Sequence, residues 1–171
     1  VYLDTDERKF FTDNEHELLF TQTQYQLATN TDSEIDLTFF NHPVKSIHLV
    51  SGKATGNDWD SEYTFSSSTL YINGTPLFED TSPVYHHTVV PEMHSSDLPD
   101  DILEDLPTFT WPFCLGLSKS NPTGTLNFSR IDNAKLSISG PSGGNALHRV
   151  YAVNYNILRV KQGMGGVAFG N

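Results

Sequence analysis

His86, His87 and His94 fall within nine residues, with Glu92 between them. Neutral imidazoles and a carboxylate are the donors a metal site needs when they converge on one point. This spacing matches no metal-binding motif, and adjacent side chains such as His86 and His87 point apart on a strand and stand about 100° apart on a helix. They read as polar histidines beside a loop. His16, His42 and His48 are scattered, and His16-Glu17 lacks the second histidine of a zinc-protease helix. Serines are plentiful, but Ser142 lies in Gly140-Pro141-Ser142-Gly143-Gly144-Asn145, a loop by composition, and no hydrolase triad finds support. Cys114, the single cysteine, sits in the apolar run Phe113-Cys114-Leu115, so it reads as packing, and no internal disulfide is possible. Gly163-Met164-Gly165-Gly166 is followed by only five residues, too few for the helix that completes a dinucleotide site, and reads as a flexible terminal turn. Asn73-Gly74-Thr75 and Asn127-Phe128-Ser129 are sequons, which makes Asn73 and Asn127 possible glycosylation positions. With no secretory signal in this stretch, chance occurrence is the stronger reading of both. No catalytic residue, metal site or cofactor site emerges.

The elements that would carry these residues are mostly strands. Ile35, Leu37 and Phe39 alternate with Glu34, Asp36 and Thr38. Phe109, Trp111, Phe113, Leu115 and Leu117 share one parity, and Ala134, Leu136 and Ile138 share another. A period of two buries one face of each strand. The expected strands are Val1–Asp4, Glu17–Leu27, Ile35–Phe40, Lys45–Val50, Thr69–Asn73, Phe109–Leu117, Leu126–Ile131 continuing into Ala134–Ser139, and Arg149–Val160. Asn73-Gly74 signals a tight hairpin. Ile131 breaks the even parity of Leu126–Ser139, which predicts a bulge at Asp132-Asn133. Short helices are expected near Asp6–Phe11 and Ser82–Val89, the second opened by Ser82 before Pro83. About eight strands at this spacing give an all-β antiparallel sandwich or barrel. Asp97, Asp100, Asp101, Glu104 and Asp105 put five carboxylates in nine residues and mark a solvated surface excursion.

The 171 residues suit one domain with a sizeable core. The formal charge of −11 opposes general nucleic-acid binding. No apolar run approaches the roughly 20 residues that span a bilayer. The charge is split: residues 1–118 carry −16 and residues 119–171 carry +5. Either the fold mixes these charges back together, or the basic third faces acidic surface of a neighbouring subunit.

Gly124–Ser139 (GTLNFSRIDNAKLSIS) followed by Val150–Phe169 (VYAVNYNILRVKQGMGGVAF) resembles the carboxyl end of the major capsid proteins of nucleocytoplasmic large DNA viruses, in an algal-virus and iridovirus-like flavour. Val1–Arg8 with His16-Glu17 resembles the opening of the second jelly roll in that family, and Phe40–Ile47 and Leu70–Phe78 resemble its inner strands. The most specific stretch is Asn127, Phe128, Ser129, Arg130, Ile131, Asp132 and Asn133, a structural motif in which Arg130 and Asp132 are expected to pair or to cap backbone groups. The resemblance implies an eight-stranded antiparallel jelly-roll sandwich over residues 1–171, the second of two tandem jelly rolls, with the first absent. It further implies a homotrimeric, pseudo-hexagonal capsomer in an icosahedral virion shell, assembled in the host cytoplasm. The partners implied are other coat-protein copies, neighbouring capsomers and minor capsid proteins. The shell overlies an internal membrane without the chain spanning it. The acidic excursion Asp97–Asp105 has no counterpart in that pattern. Two other readings remain open on the residues alone. One is a carbohydrate-binding, lectin-like jelly roll stacking sugars on Trp59, Tyr63 or Tyr85. The other is a cupin-like metalloenzyme using His86, His87, Glu92 or His94.

Overall fold

The computed structural model describes residues 2–29, 33–53, 63–95, 108–141 and 146–170. In chain order the elements are α1 (Thr5–Asp13), β1 (His16–Thr29), β2 (Glu34–Asp36), β3 (Pro43–Lys53), β4 (Ser67–Ile72) and β5 (Thr75–Thr81). A π-helical turn (Tyr85–Val89) then runs into α2 (Val90–His94). β6 (Thr108–Pro112), β7 (Leu126–Asn127), a 3-10 turn (Phe128–Arg130), β8 (Ala134–Ser139), β9 (Ala146–Lys161) and β10 (Met164–Val167) complete the described chain.

All pairings are antiparallel. One sheet has the order β1-β9-β3-β6, with β10 added to the far end of β9 and β7 to the start of β3. The other has the order β2-β8-β4-β5. The two four-strand paths hold eight strands, seven of which overlap expected ones and one of which, β5, was not expected, and β7 and β10 are additions to them. The inner faces supply one core in which Ile35, Leu37, Ile47, Leu49, Leu70, Trp111, Leu136 and Val150 are fully buried. Val44 and Ile47 both reach this core, although they are three residues apart, because the β3–β9 register shifts between Val44 and Ser46.

Several expected boundaries move, each for a local reason. Residues 2–4 form no strand; Asp4 is the N-cap of α1, accepting from the Glu7 N–H while Glu7 returns a bond to the Asp4 N–H. Val1 lies outside the described residues. β2 ends at Asp36, whose Oδ1 accepts from both the N–H and the hydroxyl of Thr38 and so turns the chain. β6 ends at Pro112, which has no N–H for a ladder. The parity from Phe109 therefore stops early, and Leu115 is 79% exposed. Asn73 and Gly74 have φ of 49° and 80°, as the hairpin between β4 and the unanticipated β5 requires. The glycine-rich end is an ordered hairpin rather than a loose turn: Gln162 and Gly163 take φ of 52° and 75°, and β10 pairs back onto β9. The second expected helix begins where Ser82 and Pro83 place it, with Pro83 and Val84 helical, and runs on through the π-helical turn and α2 to His94. The acidic excursion Asp97–Asp105 lies outside the described residues.

The largest correction concerns Leu126–Ser139. The parity change is no bulge within one strand. β7 belongs to the first sheet and β8 to the second, and the 3-10 turn carries the chain between them.

Trp111 and Leu115 share sequence parity but not environment. Trp111→Ala is expected to lower the unfolding free energy by about 3–5 kcal/mol. Leu115→Ala is expected to stay within about 0.5 kcal/mol of the parent. Guanidinium denaturation of both variants checks the pair of values.

Candidate functional site

The motif residues 127–133 form the corner between the sheets. The Asn127 side chain caps the 3-10 turn by accepting from the Ser129 N–H at 3.1 Å. The Ser129 hydroxyl accepts from the His42 N–H at 2.8 Å, and the Phe128 N–H donates to the His42 carbonyl at 3.0 Å. Phe128 is buried with its ring against Phe40 and Phe113. From the other sheet, Asn73 Oδ1 accepts from the N–H groups of Asp132 and Asn133, at 3.1 and 3.0 Å. The Asn73 N–H in turn donates to the Asn133 carbonyl at 2.7 Å. Asn73 therefore clasps the corner to the β4–β5 hairpin, using the sequon asparagine as a structural acceptor. Arg130 and Asp132 are both exposed, and no ion pair between them occurs among the described residues. The capping expected of them is done by Asn127 and Asn73. That partnership spans about sixty residues of sequence, so local pattern could not reveal it.

The histidines do not converge. His86 is fully buried, its ring 4.5 Å from Trp111. Its Nδ1 faces the Thr110 carbonyl at 3.0 Å and its Nε2 the Thr81 hydroxyl at 2.6 Å. His87 Nδ1 faces the Thr108 carbonyl at 3.1 Å. Both ring nitrogens of His86 are thus occupied, Glu92 is exposed, and no group of three potential metal ligands exists among the described residues. The metalloenzyme reading loses its residues. His48 lies on the outer face of the first sheet, with Nε2 at 2.9 Å from Ser46 Oγ and Nδ1 at 3.0 Å from Thr110 Oγ1. Burial lowers His48 to about 4. Burial lowers His86 to about 4 as well, with the Thr110 carbonyl acting in the opposite direction.

The sugar-stacking reading also loses support. Tyr63 is 2% exposed, contrary to expectation, and burial pushes its hydroxyl up to about 12. Tyr85 is half-buried, and Trp59 lies outside the described residues. Cys114 is buried, and burial raises its thiol above the usual range, against the opposing effects of Lys45, Gly116 and Thr123. Lys45, itself 4% exposed, was not singled out by sequence; its Nζ donates to the Lys119 carbonyl at 3.0 Å and fixes the loop after β6.

The split charge is largely internal to the fold. Lys135 pairs with Glu34 at 2.7 Å, Arg159 with Glu17 at 2.6 Å, and Lys161 with Glu15. Each pair joins a base of the carboxyl-terminal third to an acid of the earlier chain. Half of that third's six bases are spent this way, so the mixing reading prevails over the neighbour-facing one. Among the described residues no helix is long and apolar enough to cross a membrane.

Many of the exposed large apolar side chains lie at one end. α1, the first half of β1, the end of β9 and β10 contain no buried residue, yet carry Phe10, Phe11, Leu18, Leu19, Met164 and Val167 at half exposure or more. A patch of this kind marks a contact surface.

These features describe an antiparallel jelly-roll sandwich with a packed interior and its chemistry spent on holding loops, which is the class of a structural shell domain. The solved PBCV-1 virus capsid matches it with a TM-score of 0.78 and 25% identity, over 99% of this chain and 55% of that one. The family model for the large eukaryotic DNA virus major capsid protein matches residues 7–166. The major capsid protein of Pyramimonas orientalis virus is 38% identical, across all of this chain and 47% of its own length. That of Paramecium bursaria Chlorella virus 1 is 27% identical, across all of this chain and 52% of its own. The chain belongs to the large eukaryotic DNA virus major capsid protein family, whose members are structural, non-enzymatic proteins of the virion capsid. It spans about half the length of these relatives.

Replacing Asn73 tests the clasp. Asn73→Ala removes the acceptor of two N–H groups and disfavours the positive φ, with an expected loss of about 2 kcal/mol. Asn73→Gly keeps the turn and is expected to lose about half as much. Urea denaturation midpoints of the two variants check the order.

Proposed function

We propose that this chain is one jelly roll, the second of two, of a major capsid protein that forms trimeric, pseudo-hexagonal capsomers of an icosahedral shell. The observation that carries the reading is the one-sandwich match: nearly all of the chain aligns with just over half of the PBCV-1 capsid chain. The exposed apolar end supports it, because a lone sandwich gains nothing from Phe10, Leu19 or Met164 left in water. Function on this reading is burial. Neighbouring copies, adjoining capsomers and minor capsid proteins cover surfaces that the sandwich leaves open, with over 2,000 Å² commonly buried in obligate interfaces. Assembly takes place in the host cytoplasm, where a coat with one buried thiol in this domain is held by packing.

The test is a polypeptide extended to the full length of the relatives, sized by light scattering and imaged by electron microscopy. Trimers with a pseudo-hexagonal outline are expected. A full-length product that stays monomeric at every concentration examined would sink the reading.

A further inference from the structure

The segment Tyr85–His94, which follows β5, packs against β6, where the first sheet ends. β6 is the last strand of that sheet, paired with β3 on one edge only among the described residues. The carbonyls of Thr108 and Thr110 meet His87 Nδ1 and His86 Nδ1. A carbonyl only accepts, so both Nδ1 atoms carry the proton and donate. In neutral His86 the Nε2 lone pair then accepts from the Thr81 hydroxyl, at the end of β5 in the other sheet. Two imidazoles occupy the place of a next strand, and one of them ties the two sheets together.

We propose that His86 and His87 form an acid-released latch: neutral, they close the free edge of β6 and hold the Tyr85–His94 segment across the side of the sandwich, and protonation of His86 frees that segment and opens the edge.

Among the described residues, nothing packed around His86 stabilises a cation by charge. β6 contributes Thr110 and Trp111 and has no ionisable side chain. β5 contributes Phe78 and Thr81, and its acids Glu79 and Asp80 are exposed. The helical segment itself contributes Tyr85 at 5.3 Å and His87, and Glu92 of α2 is exposed. Beyond Thr110 lies His48, itself held neutral by burial, in register with Tyr151 of β9. On protonation the Thr81 hydroxyl can turn to the carbonyl of Phe78 or Ser68, at 3.0 and 3.2 Å, so a hydrogen bond survives. The uncompensated charge does not survive burial, and water is the available stabiliser. The sign follows. The buried ring takes its proton only near pH 4, whereas a released ring takes it near 6.5. The latched state therefore loses ground as pH falls from 6.5 toward 4, and opening becomes about 30-fold more favourable by pH 5.

Hydrogen exchange by mass spectrometry on the 171-residue chain, at pH 7.5 and pH 5 with intrinsic rates corrected, reads the latch directly. Residues 81–94 and 108–112 are expected to lose about 30-fold of their protection while β1 and β9 keep theirs. In a Trp59→Phe background, Trp111 emission is expected to shift red over the same range. His86→Gln, whose amide can make both bonds without titrating, is expected to remove the pH dependence. Three results overturn the proposal: unchanged protection at pH 5, loss of protection only together with β1 and β9, or an unaltered pH dependence in His86→Gln. Should that variant fail to fold, an NMR titration of the parent decides, since a His86 ring titrating near 6.5 in the folded chain excludes the latch.

Discussion

The structure depends on meeting the backbone groups that lose their ladder partners where the chain leaves one sheet. A buried N–H or C=O without a partner costs as much as several good contacts gain. At the β7–β8 corner the deficit is met by Asn127, Ser129 and Asn73, which come from both sheets. At the β6 edge it is met by His86 and His87. After β6, Lys45 takes the Lys119 carbonyl, and Thr123 takes the N–H groups of Leu115 and Gly116. Gly124 is needed in that loop because a Cβ would stand 2.7 Å from the Phe113 carbonyl oxygen, at a φ of 136°. These side chains hold the sheets to each other at the rim, around the apolar core that fills the space between them.

Register is the second thing the polar residues decide. β1 and β9 pair over fourteen residues with no bulge, joining the two ends of the chain. Alternation alone specifies which face points inward, and a slip by two would preserve it. Glu17 lies directly opposite Arg159, and their side chains meet, while Glu15 meets Lys161 one step beyond. Each exposed pair is worth at most about 1 kcal/mol in stability. A two-residue slip in either direction keeps only one opposed pair, Glu17 with Lys161 or Glu15 with Arg159, so the two pairs together favour the observed register over ones that hydrophobicity treats alike. The division of charge along the chain is the linear trace of this antiparallel closure.

The class of fold was legible because period-two alternation is a local signal: Ile35, Leu37, Phe109, Trp111, Leu136 and Ile138 follow the expected parities and are inward, while Phe39, of the same parity as Ile35, is 69% exposed because β2 ends at Asp36. The hairpin at Asn73-Gly74 was legible because few other dipeptides accept two positive φ values. The corner at 128–130 was not, because a parity break has the same appearance whether a strand bulges or changes sheets. β10 was missed because its four residues are all exposed and carry no alternation. The work of His86 and His87 was invisible. It depends on Thr81 and Thr110, which nothing in the sequence marks as donor and acceptor for an imidazole. The family likeness was carried by Asn127–Asn133, the stretch whose role is geometric.

A sandwich can close its core and still leave a molecule unfinished. Here the inner faces are filled by residues at 0–6% exposure, while the ribbon at one end, built from α1, the first half of β1, the last residues of β9, and β10, buries no side chain. Fully burying a Leu, Phe, Met or Val side chain is worth roughly 1.5–3 kcal/mol. Folding of the sandwich does not collect that free energy at Phe10, Leu18, Leu19 or Met164, since no described element covers them. The gain is available only to a contact made after the sandwich exists. A core that is complete without the ribbon, and a ribbon incomplete without a neighbour, separate the stability of the domain from the drive to associate. Substitutions in the core should therefore act on folding, and substitutions in the ribbon on assembly.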